Sequence, residues 1–181
     1  MARRLAPSRA SLVLVPALAA VIAAGCGTAR RGPTYPPAGA TPAAATTETA
    51  AARAAVAGAL EASGLAVVDA SRAYRPPEGP WLAAAPRTVL ELDAPGQGAV
   101  GFVVLYGLGS SADATAAAKD QASYVSSGAG RAYVAGGTHV TIRVLGSTVI
   151  FFAWSPGADD PRLAAVEAAL DTVGTGTAVP A

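Results

Sequence analysis

The pair Gly146-Ser147 separates two runs, residues 139–145 (HVTIRVL) and 148–154 (TVIFFAW), that are rich in β-branched and aromatic residues and of strand length. A two-residue loop with Gly first suits a type II′ turn, whose twist matches that of antiparallel strands. Leu145 should therefore pair with Thr148, and each earlier residue with its later mate. Register then sets the faces, since side chains alternate with period two. One face carries Val140, Ile142, Val144, Val149, Phe151 and Ala153 and reads as a helix-covered core. The other sets His139, Thr141 and Arg143 beside Ile150, Phe152 and Trp154.

A similar pattern precedes it. Residues 88–93, a turn at Pro95-Gly96, residues 100–106 and a helix over 111–127 read as strand-strand-helix, and 139–145, 148–154 and a helix over 161–173 repeat that order. Ser110 or Ser111 and Gly128 punctuate the first helix; Asp159-Asp160, Pro161 and Gly174 punctuate the second. Leu163, Val166, Leu170 and Val173 form a helical stripe. Strands 100–106 and 148–154 are apolar on both faces and fit central positions, whereas 88–93 and 139–145 alternate and fit the edges. The expected fold is α+β: a four-stranded antiparallel sheet in the order 1-2-4-3, with both helices on one face. An additional helix over 48–63, capped by Thr46 or Thr47 and stopped at Gly64, and a short strand over 65–70 precede it. Residues 72–87 make a Pro-rich loop holding Tyr74 and Trp81, of a length that is often functional, unless Trp81 and Leu82 plug an edge of the core.

The first 26 residues have another character. Arg3, Arg4 and Arg9 lead into an apolar stretch over 11–24 that ends at Gly25-Cys26, the tripartite pattern of an export signal. About 20 apolar residues are needed to span a bilayer, and this stretch is shorter and holds Pro16. Ala23-Ala24-Gly25-Cys26 resembles the lipobox of bacterial lipoprotein precursors, with Ala23 where Leu is commonest. The resemblance implies that residues 1–25 are removed by general secretion, that Cys26 is acylated, and that the bilayer is a partner on the extracytoplasmic side. It carries no information about the domain that follows. Residues 26–47 are rich in Pro, Gly, Ala and Thr and read as a tether. A single domain over 48–176 and a disordered tail over 177–181 complete the expected organisation.

Composition narrows the function. The 181 residues carry 13 basic and 12 acidic side chains, and without the first 25 the balance is ten to twelve, so bulk charge recruits no nucleic acid. One Cys and one His leave no disulfide framework and no His/Cys metal cluster within the chain. No cofactor or metal site is expected. Gly107-Leu108-Gly109-Ser110-Ser111 lacks both a nucleophile elbow and a phosphate-loop Lys. Glu91 and Asp93, two apart on one strand, have the spacing of an acid/base pair, but charges on an edge strand also block aggregation.

The candidate binding face is the second face of the sheet, with Phe102, Val104, Tyr106, Ile150, Phe152 and Trp154 in the middle and Arg143, Thr141 and His139 along one edge. Covered by the first helix and the Trp81 loop, it is a second core layer; open, it holds a small ligand or a partner. The leading expectation is a lipid-anchored envelope protein with a non-catalytic binding or scaffolding domain, its partner an envelope protein or small ligand. A solute sensor using the aromatic face is the alternative, and an exported hydrolase using Glu91 and Asp93 a weaker one.

Overall fold

A computed structural model describes residues 46–96, 98–134, 138–154 and 161–180. Cys26, the expected export segment, the expected tether up to residue 45 and the expected Asp159-Asp160 cap lie outside these residues. The elements run α1 (Thr47–Glu61), β1 (Ala66–Asp69), α2 (Pro80–Ala84), β2 (Arg87–Ala94), β3 (Gly98–Gly107), α3 (Ser111–Ser126), α4 (Gly128–Arg131), β4 (His139–Leu145), β5 (Thr148–Trp154), α5 (Pro161–Asp171) and β6 (Thr175–Thr177). Caps form where hydroxyls precede the helices. Thr46 Oγ1 accepts from Thr49 N at 3.1 Å, and Ser110 Oγ from Asp113 N at 3.1 Å.

All the described strands join one antiparallel sheet in the order β1-β2-β3-β5-β4-β6. The four strands expected from sequence lie in their expected order, but the sheet has six strands, not four. β1 adds to the outside of β2, and Thr175–Thr177 adds to the outside of β4. The C-terminal stretch expected as a tail thus pairs through Thr177 with Ile142, and Ser126 Oγ donates to Pro180 O at 2.8 Å. In the β4–β5 hairpin Leu145 pairs with Thr148, as the Gly-Ser turn requires, and Gly146 takes φ +57.

Both sheet faces are covered. On one, Leu90, Leu92, Val103, Leu105, Ile150, Phe152 and Trp154 pack against Val56 and Leu60 of α1 and Leu163, Val166 and Leu170 of α5. On the other, Val104, Tyr106, Ile142, Val149, Phe151 and Ala153 pack against Leu82 of α2 and an almost pure alanine face of α3, Ala114, Ala117, Ala118 and Ala122. Small side chains let α3 approach closely enough for the bulky residues of the strands to fill the layer. The long helices therefore lie on opposite faces, contrary to the expected single helical layer. The two strand-strand-helix units consequently have opposite hands.

Candidate functional site

The expected binding face does not exist as one surface. Val104 pairs with Phe151 and Leu105 with Ile150, so Phe102, Val104 and Tyr106 share a face with Phe151 and not with Ile150, Phe152 and Trp154. Val104, Tyr106, Ile150, Phe152 and Trp154 are all buried, and Phe102 is half-buried. Ile150, Phe152 and Trp154 lie under α1 and α5, Val104 and Tyr106 under α2 and α3. Phe102 stacks on Tyr74 with ring centroids 4.0 Å apart and planes at 2°, and the Arg72 guanidinium sits 5.1 Å from the Phe102 ring centre. In the Pro-rich loop Leu82 is the plug, whereas Trp81 is 49 % exposed.

The charged candidates are tied into the framework. Arg143, expected at a solvated edge, is buried because β6 covers it. Its Nε donates to Val173 O at 2.6 Å, its second nitrogen reaches Asp171 Oδ1 at 2.5 Å, and its third donates to Asp171 O at 3.0 Å and Gly174 O at 3.1 Å. A planar guanidinium is suited to this, since its fork satisfies the unpaired carbonyls at the end of α5. Glu91 is interior, not on an edge: β1 pairs outside β2, and the Glu91 carboxylate accepts from Ser71 N and Ser71 Oγ, both at 3.1 Å. Arg72 lies 3.7 Å from it. Asp93 is half-buried opposite Ala66. His139 is half-exposed and faces Glu167 of α5 at 4.0 Å, and Thr141 pairs with Phe152. Among the described residues no group of three or more His, Cys, Asp and Glu is placed to hold a metal ion.

A second buried carboxylate was not singled out by sequence. Glu78, with its side chain 2 % exposed, accepts from Arg75 Nε at 2.7 Å, from Arg87 at 3.1 Å and from the Tyr106 hydroxyl at 2.9 Å. Burial is the main cause that pushes the Tyr106 phenol well above the usual tyrosine range, and the adjacent Glu78 charge adds to it. Burial alone pushes Tyr74 up to about 12. Gln121 fastens the same loop to α3, accepting from Gly79 N at 2.8 Å and donating to Pro77 O at 2.6 Å.

The concave surface lies elsewhere. A cleft of about 600 Å³ opens between α3 and the β4/β6 edge, lined by Ser111, Thr115 and Lys119 on one wall and by Thr175, Gly176 and Thr177 on the other. Val144 and Gly146 contribute its floor and one end, and Ala178 the remainder of the lining. Ser111, Thr115 and Lys119 are spaced four residues apart, which places them on one helix face. Thr175 and Thr177 are two apart on β6, opposite Val144 and Ile142, and so share the α3 side of the sheet. Lys119, the chain's single lysine, makes no ion pair with another described residue. The wall chemistry is a row of hydroxyls and one ammonium, with no carboxylate in the lining. In the sequence, the one available signal was a lysine on an otherwise alanine- and serine-rich helix, in line with Ser111 and Thr115.

Comparisons with protein-family models, curated proteins and solved structures find no match for this chain. No described helix is long and apolar enough to cross a membrane. What the fold and cleft define is an α+β domain with one antiparallel sheet enclosed between two helical layers and, at the β6 edge, a cleft that sets hydroxyls and Lys119 among apolar groups.

Proposed function

We propose that this chain is an exported lipoprotein, held at the membrane by acylated Cys26, whose domain binds a partner or ligand without chemistry and does so at the α3/β6 cleft. The observation that supports binding is the lining of that cleft: hydrogen-bonding hydroxyls and an ammonium that makes no ion pair with another described residue converge on a concavity large enough for a small molecule or a few extended residues. The buried carboxylates supply a contrast. Glu78 and Glu91 have their oxygens engaged by Arg, Ser or Tyr groups that hold loops to the sheet, which leaves neither aimed at the cleft.

The anchor rests on the resemblance of residues 23–26 to a lipobox. A single acyl chain binds a bilayer marginally, while two or more, at about 0.8 kcal/mol per buried CH₂, hold durably. Mass spectrometry of the mature N-terminus from a bacterial expression host tests this part. Diacylated or triacylated Cys26 is the expected species, and Cys26→Ala should leave the protein unprocessed or released to the aqueous phase. An unmodified N-terminus downstream of Cys26 would refute the anchor.

A further inference from the structure

We infer that the α3/β6 cleft receives an extended peptide segment of a partner protein, which adds as a seventh strand to the outer edge of β6 and directs an acidic side chain at Lys119. This rests on the reading of the cleft as a binding site. β6 ends the sheet and is paired on one side only among the described strands, so the other side presents backbone donors and acceptors to whatever enters beside it. A helix lying alongside an open edge strand, with a groove between them, is the geometry in which strand addition combines main-chain hydrogen bonds with side-chain contacts.

The dimensions agree. From Ser111 to Lys119 the helix rises about 12 Å, and the three residues of β6 extend about 10 Å, a length matched by three to four extended residues. Natural edge strands are guarded by Lys, Pro or inward-pointing charge. Thr175-Gly176-Thr177 carries none of these and is limited only by its three-residue length, whereas the other edge strand, β1, has Asp69 paired with Arg53 at 2.8 Å. Charge selects among peptides: the sole charged side chain of the lining is Lys119, so an acidic residue is complementary and a basic one is repelled.

The test uses the isotopically labelled full-length chain in nonionic detergent and the capped pentapeptide Ac-TVEVT-NH2 as probe. Binding should shift the amide resonances of Thr175, Gly176 and Thr177 and slow their hydrogen exchange. Exchanging the probe's Glu for Gln, or Lys119→Gln in the protein, should weaken binding about threefold, in keeping with an exposed ion pair. Methylating alternate backbone nitrogens of the probe should abolish it. Unaltered melting of the exposed-site variant Lys119→Gln shows that its fold is intact. If the methylated probe binds equally well, strand addition is wrong. If the pentapeptide has no effect at millimolar concentration while glutarate perturbs Ser111 and Lys119, the site takes small anions: the inference falls and the binding reading stands. If neither perturbs the cleft, both fall.

Discussion

The Tyr106 hydroxyl donates to Glu78 Oε1 at 2.9 Å, joining the C-terminal end of the central strand β3 to a loop 28 residues earlier in the chain. With the Tyr106 phenol buried and the nearby Tyr74 ring half-buried, ionising either is disfavoured in the folded state, and both pKa values shift upward.

That shift has a signed consequence for pH. Above about pH 10 the tyrosines of the unfolded chain lose protons that folded Tyr74 and Tyr106 retain, so the unfolded state gains and stability falls as pH rises. For Tyr74 the loss runs between about pH 10 and its folded value of about 12. Urea unfolding midpoints measured from pH 9 upward should decline through this window, and Tyr74→Phe should reduce the slope. Tyr106→Phe should reduce it too, at a cost near neutrality of about 1 to 2 kcal/mol for the hydrogen bond lost to buried Glu78.

Arg143→Ala should cost about 2 to 4 kcal/mol in equilibrium unfolding, because it deprives three carbonyls at the end of α5 of their donors beneath β6. Asp171→Ala tests the other half of the ion pair. Its carboxylate is 71 % exposed, so the change should cost no more than about 1 kcal/mol. Arg143→Lys should restore little, since a single ammonium cannot reproduce the fork.

Phe152→Ala should cost about 3 to 5 kcal/mol, the range for opening a cavity in a closed interior layer. Phe102→Ala removes a half-buried ring whose main partner is Tyr74, and about 1 to 2 kcal/mol is expected from denaturant titration. Equal, small effects at both positions would mean that the layer beneath α1 and α5 is not closed.

Gly174→Ala should be among the most disruptive single changes. At φ +61 a side chain is strained, and a Cβ there would lie 2.2 Å from Val144 O, in the backbone that pairs with β6. We expect a loss of at least about 3 kcal/mol by thermal or denaturant unfolding. Gly146→Ala is the comparison: its Cβ would meet the flexible end of Glu48 at 3.2 Å, so only about 1 to 2 kcal/mol of left-handed strain is expected.

Much of the framework was legible where a local signal sets geometry. Gly146-Ser147 specified the register of β4 with β5, and the hydroxyls of Thr46 and Ser110 marked where α1 and α3 begin. The relation of β3 to β5 was not legible. No turn joins them, and both are apolar on each face, so alternation supplies no phase; the one-residue slip reversed Phe102, Val104 and Tyr106. β6 eluded recognition because Thr-Gly-Thr has little strand character of its own and is held by β4 and Arg143. The cleft depends on that strand. With no strand read after Gly174 and the tail expected from Thr177, nothing remained to form the wall opposite Lys119.

The first turn of α1 is latched to the β4–β5 turn. Glu48 accepts from both the backbone and hydroxyl of Ser147, an attachment that also draws its carboxyl below the usual range, and Thr49 Oγ1 lies 3.5 Å from Thr148 Oγ1. Any pull on the chain ahead of Thr46 is therefore delivered to a hairpin whose strand β5 sits in the interior of the sheet, flanked by β3 and β4. Such a pull must break the Glu48–Ser147 latch before the rest of α1 can unwind, whereas a pull from the C-terminus is met by the three-residue pairing of β6 with β4. The two ends of the domain are fastened differently, one by side-chain hydrogen bonds to a central hairpin and the other by an edge strand beside the cleft.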